Sequence, residues 1–359
     1  MGSIANARSY NGGVNAGRDY ELGARSPVSA RSVAEIGEFG LIERLASVVG
    51  AGAPADLIVG IGDDAAAWRV GDQVLLATTD TLVEGGHFLP EFSPWADVGW
   101  KVLAVNVSDI AAMGGEPLFA LATLALPPET ELAVADDIYT GLAECAREYG
   151  VTVAGGDIVR APQISVTIAL LGRAQLREGE PLLMRRDGAK AGDVIAVTGT
   201  LGDSAAGLWR MRKGATEDDP LVRAHLRPLP RLEEAQEAAR AGVECAIDVS
   251  DGLMRDLGHI CEMSGLGADI REELLPLSDD LRSAYPEDAV ALACSGGEDY
   301  ELIIAGDEET VERVSEETSA VLTVIGRMVE STEQQPRLLD RAGKELPIAV
   351  HGWDHLLLA

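Results

Sequence analysis

The chain has 359 residues and carries 59 acidic against 29 basic side chains, which gives a formal net charge of −30 at neutral pH. This charge disfavours nucleic acid and anionic membrane surfaces as partners. Hydrophobic residues make up 47% of the chain and aromatic residues only 4%. At this length, the composition predicts two medium-sized α/β domains whose cores are mostly aliphatic.

The cysteines and the N-terminal segment indicate the compartment. Cys145, Cys245, Cys261 and Cys294 lie far apart and show no CxxC spacing, which favours reduced, buried thiols over a zinc site or disulfides. We therefore expect a cytoplasmic protein. Residues 1–31 are rich in Gly, Asn, Arg and Ser without the apolar core of a secretory signal, and we interpret them as a flexible tail. No apolar stretch of roughly 18 residues predicts a membrane span.

The hydrophobic pattern predicts alternating helices and strands after this tail. In the first half we expect helices at 38–45, 100–113 and 135–149, and strands at 57–59, 74–77, 119–126, 151–154 and 164–171. In the second half we expect helices at 204–211, 230–241, 252–263 and 309–319, and strands at 193–198, 245–247, 268–270, 300–304 and 322–325. We place the boundary near Gly172, so that 32–172 form an N-terminal domain and 173–359 a C-terminal domain.

Five acidic clusters, each beside Gly, Ser or Thr, recur along these elements. They lie at 60–67, 78–80, 106–109, 155–157 and 248–251. We expect the first two at strand ends, the third on one helix face, the fourth at the end of the strand at 151–154 and the last at a strand-to-helix junction. A single Asp in such a place usually caps a helix or a turn. Five together favour a shared site for several Mg²⁺ ions, which would hold two phosphate-bearing molecules against their mutual repulsion.

Sequence motifs that would indicate other classes of enzyme are weak or absent. Gly60-x-Gly62-x-x-Ala65 follows a strand, and Asp80 closes a later one, which is the outline of a dinucleotide-binding fingerprint. That interpretation would place two adjacent acids against a pyrophosphate, and Gly71 follows too soon for a crossover helix. The chain also lacks a P-loop, the protein-kinase catalytic-loop signatures and the nucleophile elbow of serine hydrolases.

Two Gly-rich loops carry further candidates. His87, within 84–88, either contacts a ligand or is an exposed loop histidine. Glu298, within 295–300, binds a cationic or hydrogen-bond-donating group or is a solvated acid of a turn.

Taken together, these motifs resemble the thiamine-monophosphate kinase family. The matching segments are GEF at 37–39, GIGDDA at 60–65, TTDTLVEGGHF at 78–88, KVLAVNVSDIAAMG at 101–114, AGGD at 154–157, VTGTLGDSAAG at 197–207, IDVSDGL at 247–253, SGGEDYEL at 295–302 and GWDH at 352–355. They occur in family order and cover nearly everything after the tail. Thr78 departs slightly from a common Ser-Thr-Asp pattern but keeps the hydroxyl group.

The resemblance implies a two-domain α/β (α+β) fold of the aminoimidazole-ribonucleotide synthetase type, with a mixed sheet in an N-terminal domain that forms a homodimer. It implies that ATP, with several Mg²⁺ ions, phosphorylates thiamine monophosphate. The implied magnesium ligands are Asp64, Thr78, Thr79, Asp80, Asp109, Asp157, Asp248 and Asp251, with Asp80 and Asp251 the most critical. The implied nucleotide contacts are Tyr139, Gly156, Asp157, Arg186 and Ser250, and the implied thiamine-phosphate contacts are His87, Glu298 and Trp353.

The residues leave three points open. Trp353 either faces the cationic thiazolium or the pyrimidine ring, or anchors the C-terminal segment. Of the paired acids, Asp64 is expected to reach metal and Asp63 to shape the turn. The alternatives are another ATP-using enzyme of the superfamily, such as aminoimidazole-ribonucleotide synthetase or the hydrogenase maturation factor, and a non-catalytic acidic protein that binds divalent cations.

Overall fold

Strands and helices alternate through the described parts of the chain, which in this computed structural model are residues 33–49, 54–317 and 322–347. The first group of elements is α1 (Gly37–Val49), β1 (Leu57–Val59), β2 (Ala66–Val70), β3 (Gln73–Val83), α2 (Trp95–Ala112), β4 (Glu116–Leu126), α3 (Leu132–Glu148), β5 (Thr152–Arg160) and β6 (Ser165–Arg173). A short hairpin, β7 (Gln175–Arg177) and β8 (Glu180–Leu182), follows.

The second group completes the described chain. It contains β9 (Val194–Thr198), α4 (Asp203–Met211), α5 (Pro220–Leu226), α6 (Leu232–Ala241), β10 (Cys245–Asp248), α7 (Leu253–Ser264), β11 (Gly267–Arg271), α8 (Asp279–Ala284), α9 (Ala289–Ser295), β12 (Leu302–Gly306), α10 (Glu308–Glu317), β13 (Leu322–Val329) and β14 (Pro336–Leu339). Gly172, where the sequence predicts the domain boundary, lies within β6.

Each group builds one mixed sheet. The first has the strand order β1-β2-β3-β6-β4-β5, and the second has the order β10-β12-β9-β13-β11-β14. Neighbouring strands are antiparallel, except that β4 pairs parallel with β5 and β11 parallel with β14. The mixed α/β architecture predicted from the sequence is confirmed.

Helix α2 lies at the centre of the molecule. It packs against β3, β4 and β6 of the first sheet, against α3, and also against α5, α6 and β10 of the second group. Residues on every side of the helix are buried, as expected for a helix that is apolar nearly all round. Gly114, with φ of +70°, ends the helical run, and the amide of Gly115 donates to the carbonyl of Ile110.

Two sequence expectations about strand ends were wrong. Residues 78–80 lie inside β3, because the Thr- and Val-rich run from Thr78 to Val83 continues the strand and pairs with β6 through all these positions. Residues 155–157 likewise lie inside β5, paired with β4. Strand β2, which follows the Asp63–Asp64 pair directly, was not anticipated.

Within the described ranges, no helix is both long and apolar enough to cross a bilayer.

The close contact between α2 and α3 predicts that one methyl group added at their interface strongly lowers the stability of the protein. A Cβ atom added at Gly141 would lie 1.7 Å from the carbonyl oxygen of Ala96, so Gly141→Ala forces the two helices apart. We expect the melting temperature to fall by roughly 5 °C or more. Gly258 on α7 is the matched control, since its added Cβ meets only Pro336 Cδ at 3.8 Å. Gly258→Ala should leave the melting temperature unchanged or raise it, and equal effects of both changes would contradict the packing argument.

Candidate active site

Three carboxylates from different parts of the fold converge beside α2. Asp64 precedes β2, Asp109 lies in the last turns of α2, and Asp248 ends β10. Each offers one oxygen atom, and these atoms all lie within 4.8 Å of one another. The sequence clusters at 60–67, 106–109 and 248–251 therefore meet in space.

Neighbouring hydroxyl and amide groups hold this carboxylate cluster in place. The Thr78 hydroxyl donates to Asp109 Oδ2 at 2.5 Å, and the Ser108 hydroxyl donates to Asp248 Oδ2 at 2.6 Å. The backbone N–H of Asp80 donates to Asn106 Oδ1 at 3.2 Å. This last bond is possible because the pairing of β2 with β3 ends at Ala77, which leaves that edge of β3 facing α2.

Burial and the charges of neighbouring acids make Asp109 and Asp248 difficult to ionise. Burial raises the pKa of Asp248 to about 8, with the nearby Asp64 charge adding to the effect. Burial and the charge of Asp80 raise the pKa of Asp109 well above its usual range. A divalent cation would remove both penalties. Asp64 Oδ2 supports this fit, since it is buried without a hydrogen-bond partner in the described part of the chain.

Asp63 and Arg186 fix the turn that carries Asp64. Asp63 Oδ1 accepts from the Asp64 N–H at 3.1 Å, and Asp63 Oδ2 accepts from the Arg186 N–H at 3.3 Å. The Arg186 guanidinium lies 2.5 Å from Asp64 Oδ1. Burial, followed by the Asp64 charge, raises the pKa of Asp63 to about 6. Asp63 therefore shapes the turn, as the sequence predicted.

The loop between β10 and α7 carries Ser250 and Asp251, which follow Asp248 of the carboxylate cluster. The buried Asp256 carboxylate accepts the backbone N–H groups of Asp251 and Gly252, each at 3.0 Å. Arg255 Nε lies 3.3 Å from Asp251 Oδ2. The Asp256 carboxylate, on the helix α7 that follows this loop, therefore fixes the loop conformation.

A cavity of about 690 Å³ opens next to the carboxylate cluster. Asp80, Ser250 and Asp251 line it, as do the predicted contacts His87 and Glu298. Its apolar wall is formed by side chains from both halves of the chain: Phe88, Leu89, Phe92, Leu208, Trp209, Met211 and Leu292. Its volume suits a small organic molecule that combines a polar end with an apolar body.

Other predicted site residues lie elsewhere. Gly156 and Asp157 lie in β5, three strands across the sheet from Asp80 by way of β6 and β4, which at ordinary strand spacing is roughly 14 Å. Tyr139 lies half-exposed on α3. Trp353 lies outside the described residues. The roles of these four as ligand contacts stay predictions.

The sequence reasoning missed Lys101, His225 and Trp209. Lys101 is a charged residue in an otherwise apolar run, which was a usable signal. His225 and Trp209 enter the cavity from α5 and α4, and neither has a local sequence pattern that would have revealed it.

Comparison with known proteins identifies the family. Residues 62–174 match the AIR synthase related protein, N-terminal domain, and residues 190–338 match its C-terminal domain. A thiamine-monophosphate kinase of Escherichia coli O157:H7 is 40% identical over 329 residues, which are 89% of this chain and 98% of the relative. The chain belongs to the thiamine-monophosphate kinase family. A second member, from Aquifex aeolicus, is 37% identical over 77% of this chain and 87% of its own.

Solved structures extend the likeness to the fold. A structure described as AaThiL complexed with AMPPCP and TMP superposes with a TM-score of 0.79 at 33% identity, over 91% of this chain and 99% of its own. The hydrogenase maturation protein HypE in complex with ATP superposes with a TM-score of 0.64 at 18% identity, over 84% of this chain and 89% of its own. The second likeness shows a shared fold alone. The family assignment therefore separates this chain from the hydrogenase maturation alternative.

The raised carboxyl pKa values predict an unusual pH dependence of stability. An acid whose folded pKa exceeds its unfolded value favours the folded state only while it stays protonated. Without metal, the contribution of Asp248 should be present below about pH 4 and be lost as the pH rises towards about 8. We expect Asp248→Asn to flatten this part of the curve of melting temperature against pH, measured in EDTA.

Added Mg²⁺ should restore the melting temperature of the wild-type protein at pH 8 and have little effect on the Asp248→Asn variant. Parallel curves for the two proteins, with and without Mg²⁺, would exclude the proposed ion site.

Proposed function

We propose that the protein transfers the γ-phosphoryl group of ATP to thiamine monophosphate and releases thiamine diphosphate. The observation that carries the proposal is the junction of the carboxylate cluster with the cavity, in a chain of the thiamine-monophosphate kinase family. The cavity can hold an organic phosphate whose charged end points to the cluster. The AMPPCP and TMP named for one structural relative are the corresponding donor analogue and acceptor.

The chemistry of the acceptor explains why no catalytic base is needed. The phosphate of thiamine monophosphate is already ionised at neutral pH, so its oxygen can attack without losing a proton to the protein. Catalysis then depends on positioning and on compensation of charge, as in other phosphoryl transfers. His225, which lines the cavity, does not act as a base at neutral pH in this scheme.

Several Mg²⁺ ions, when bound, would screen the donor and acceptor phosphates from each other and stabilise charge on the transferred group. We assign their ligands to Asp64, Thr78, Thr79, Asp80, Asp109, Asp157, Asp248 and Asp251. The buried Asp64 oxygen without a partner and the short distances within the carboxylate cluster support this assignment.

Arg186 has a second role in this scheme. Its guanidinium pairs with Asp64, and the Asp64 and Asp63 charges overcome the effect of burial and raise its pKa. It is therefore a permanent cation beside the proposed ion site. We assign it, with Tyr139, Gly156, Asp157 and Ser250, to the ATP side of the reaction.

The cavity orients the acceptor. Its acidic end at Asp80 and Asp251 would hold Mg²⁺ that receives the phosphate, and its apolar wall packs against the rings. We assign His87, Glu298 and Trp353 to contacts with the thiamine half of the acceptor. The four cysteines, all unpaired and buried, support a cytoplasmic site for the reaction.

A homodimer forms through the first sheet in this proposal. On the face of that sheet opposite α2, Phe119 and Leu121 of β4 are 48% and 45% exposed. Their partners in the ladder are Leu171 and Ala169 of β6, which are also exposed. This apolar face suits a second copy of the chain, because a two-fold interface pairs a patch with itself.

Incubation with ATP, Mg²⁺ and thiamine monophosphate, followed by chromatography, tests the reaction. Formation of thiamine diphosphate is the expected result. Uptake of Mg²⁺ without any thiamine diphosphate, in protein shown to be folded, would instead support the non-catalytic cation-binding alternative.

Loss of single carboxylates should separate chemistry from folding. Asp80→Asn and Asp251→Asn remove charge from the proposed ion sites at almost constant volume, so we expect turnover to fall at least about a hundredfold with an unchanged circular dichroism spectrum. Asp269→Asn, at a partly exposed residue of β11 that pairs with Arg337, is the control and should retain wild-type turnover. Wild-type rates in both site variants would refute the metal assignment.

The dimer interface is tested by charge. Leu121→Asp should convert the dimer to a monomer, as measured by light scattering after size exclusion, because each copy would bury a carboxylate in the apolar interface. Leu274→Asp, at a site of similar exposure away from the first sheet, should leave the mass unchanged. A dimeric Leu121→Asp protein would place the interface elsewhere.

A further inference from the structure

Lys101 is a buried cation that the scheme above does not use. It lies on α2, two helical turns before Asp109, and is 4% exposed. Its ammonium lies 3.1 Å from Glu298 Oε1. Among the described residues, Glu298 supplies the one carboxylate within ion-pair distance of this ammonium. A lysine this deeply buried requires such a partner, so the two charges depend on each other.

Glu298 is held on the cavity wall by its backbone. Its φ of +67° and that of Tyr300, +52°, are unusual for residues with side chains. Three sets of bonds enforce this loop: Glu298 N–H donates to Ser250 O, Tyr300 N–H donates to Val249 O, and the Asp299 carboxylate accepts from two N–H groups at the start of α4. The Glu298 side chain remains 29% exposed and lines the cavity. The loop therefore presents a carboxylate to the ligand space.

His225 cannot replace Lys101 as the counter-ion. Its Nδ1 lies 3.4 Å from Glu298 Oε2 and 3.0 Å from the Ser204 hydroxyl. Burial and the charge of Lys101 lower the pKa of His225 to about 3, so this ring is neutral at physiological pH. The titratable groups around Glu298 are Lys101 from α2, His225 from α5, His87 on the cavity side and Tyr300 on its own loop.

We propose that Lys101 is a positioning residue that keeps Glu298 ionised and oriented, and thereby makes the cavity select a substrate with a positively charged ring. The inference rests on the proposed function, because the cationic ring is the thiazolium of thiamine monophosphate. Without Lys101, the Glu298 carboxylate, which water reaches on only part of its surface, would take up a proton more readily and lose its attraction for that ring. A purely structural salt bridge between α2 and the second half of the chain would not affect substrate preference.

The experiment compares two acceptors that differ in charge. Thiamine monophosphate carries the thiazolium cation, and 3-deazathiamine monophosphate carries a neutral thiophene ring of the same shape. In the wild-type protein, KM for the neutral acceptor should be about tenfold higher. Lys101→Met should raise KM for thiamine monophosphate about tenfold, barely change KM for the neutral acceptor, and leave KM for ATP and kcat within about twofold.

A double-mutant cycle tests whether Lys101 acts through Glu298. In the Glu298→Gln background, Lys101→Met should have no further effect on KM for thiamine monophosphate.

The pH dependence of KM supplies an independent test. The ratio of KM between Lys101→Met and wild type should shrink from pH 6 to pH 9, as Glu298 regains its charge, because titration of the metal-binding acids is common to both proteins. The corresponding ratio for Glu298→Gln should not change with pH.

Equal increases in KM for both acceptors, or an undiminished Lys101→Met effect in the Glu298→Gln background, would overturn the proposal and assign Lys101 to domain packing. Should Lys101→Met fail to fold, Lys101→Gln has the same expected loss of preference, since it retains a hydrogen-bond donor without a charge. If the wild-type protein forms no thiamine diphosphate, the proposed function is refuted. The variants are then compared by calorimetric measurement of how tightly they bind the two acceptors.

Discussion

The burial of helix α2 is the constraint on which the rest of the structure depends. A helix that is apolar on every side has no stable place at the surface, so both sheets must pack around it. Its few polar residues are thereby carried into the interior, where each needs a partner. Asn106, Ser108 and Asp109 find partners on β3 and β10, and Lys101 finds Glu298. The active site is thus a consequence of how one helix is covered.

The interior balances the charge of its carboxylates in two different ways. Around Asp109 and Asp248, like charges accumulate beyond what Arg186 alone balances, and the excess is the driving force for cation binding. Around Glu298, the protein supplies its own lysine, and the carboxylate stays ionised without metal. A substrate with a phosphate at one end and a cationic ring at the other matches this division, since the metal-dependent part receives the anion and the metal-independent part receives the cation.

The sequence predicted the parts of this arrangement that are marked by residues close together in the chain. The acids at Asp64, Asp109 and Asp248 could be found because each stands in a cluster with small residues, and the family motifs led to the two-sheet fold. The sequence did not reveal that Thr78 to Asp80 lie within a strand, because the Asp80 N–H finds its acceptor on Asn106 of α2, a contact that no local pattern encodes. The His225–Glu298 contact joins residues more than seventy positions apart, and no periodicity encodes it. Non-local pairs of this kind become visible only when the helices are packed.

The early end of the β2 ladder has a consequence for the stability of the protein in solution. From Thr78 onward, the outer edge of β3 has no strand partner in the described chain, and exposed edges of this kind recruit strands from other molecules and lead to aggregation. Here the Asn106 side chain accepts the Asp80 N–H of that edge. A residue beside the reaction site therefore also satisfies a backbone donor that could otherwise pair with a strand of another molecule.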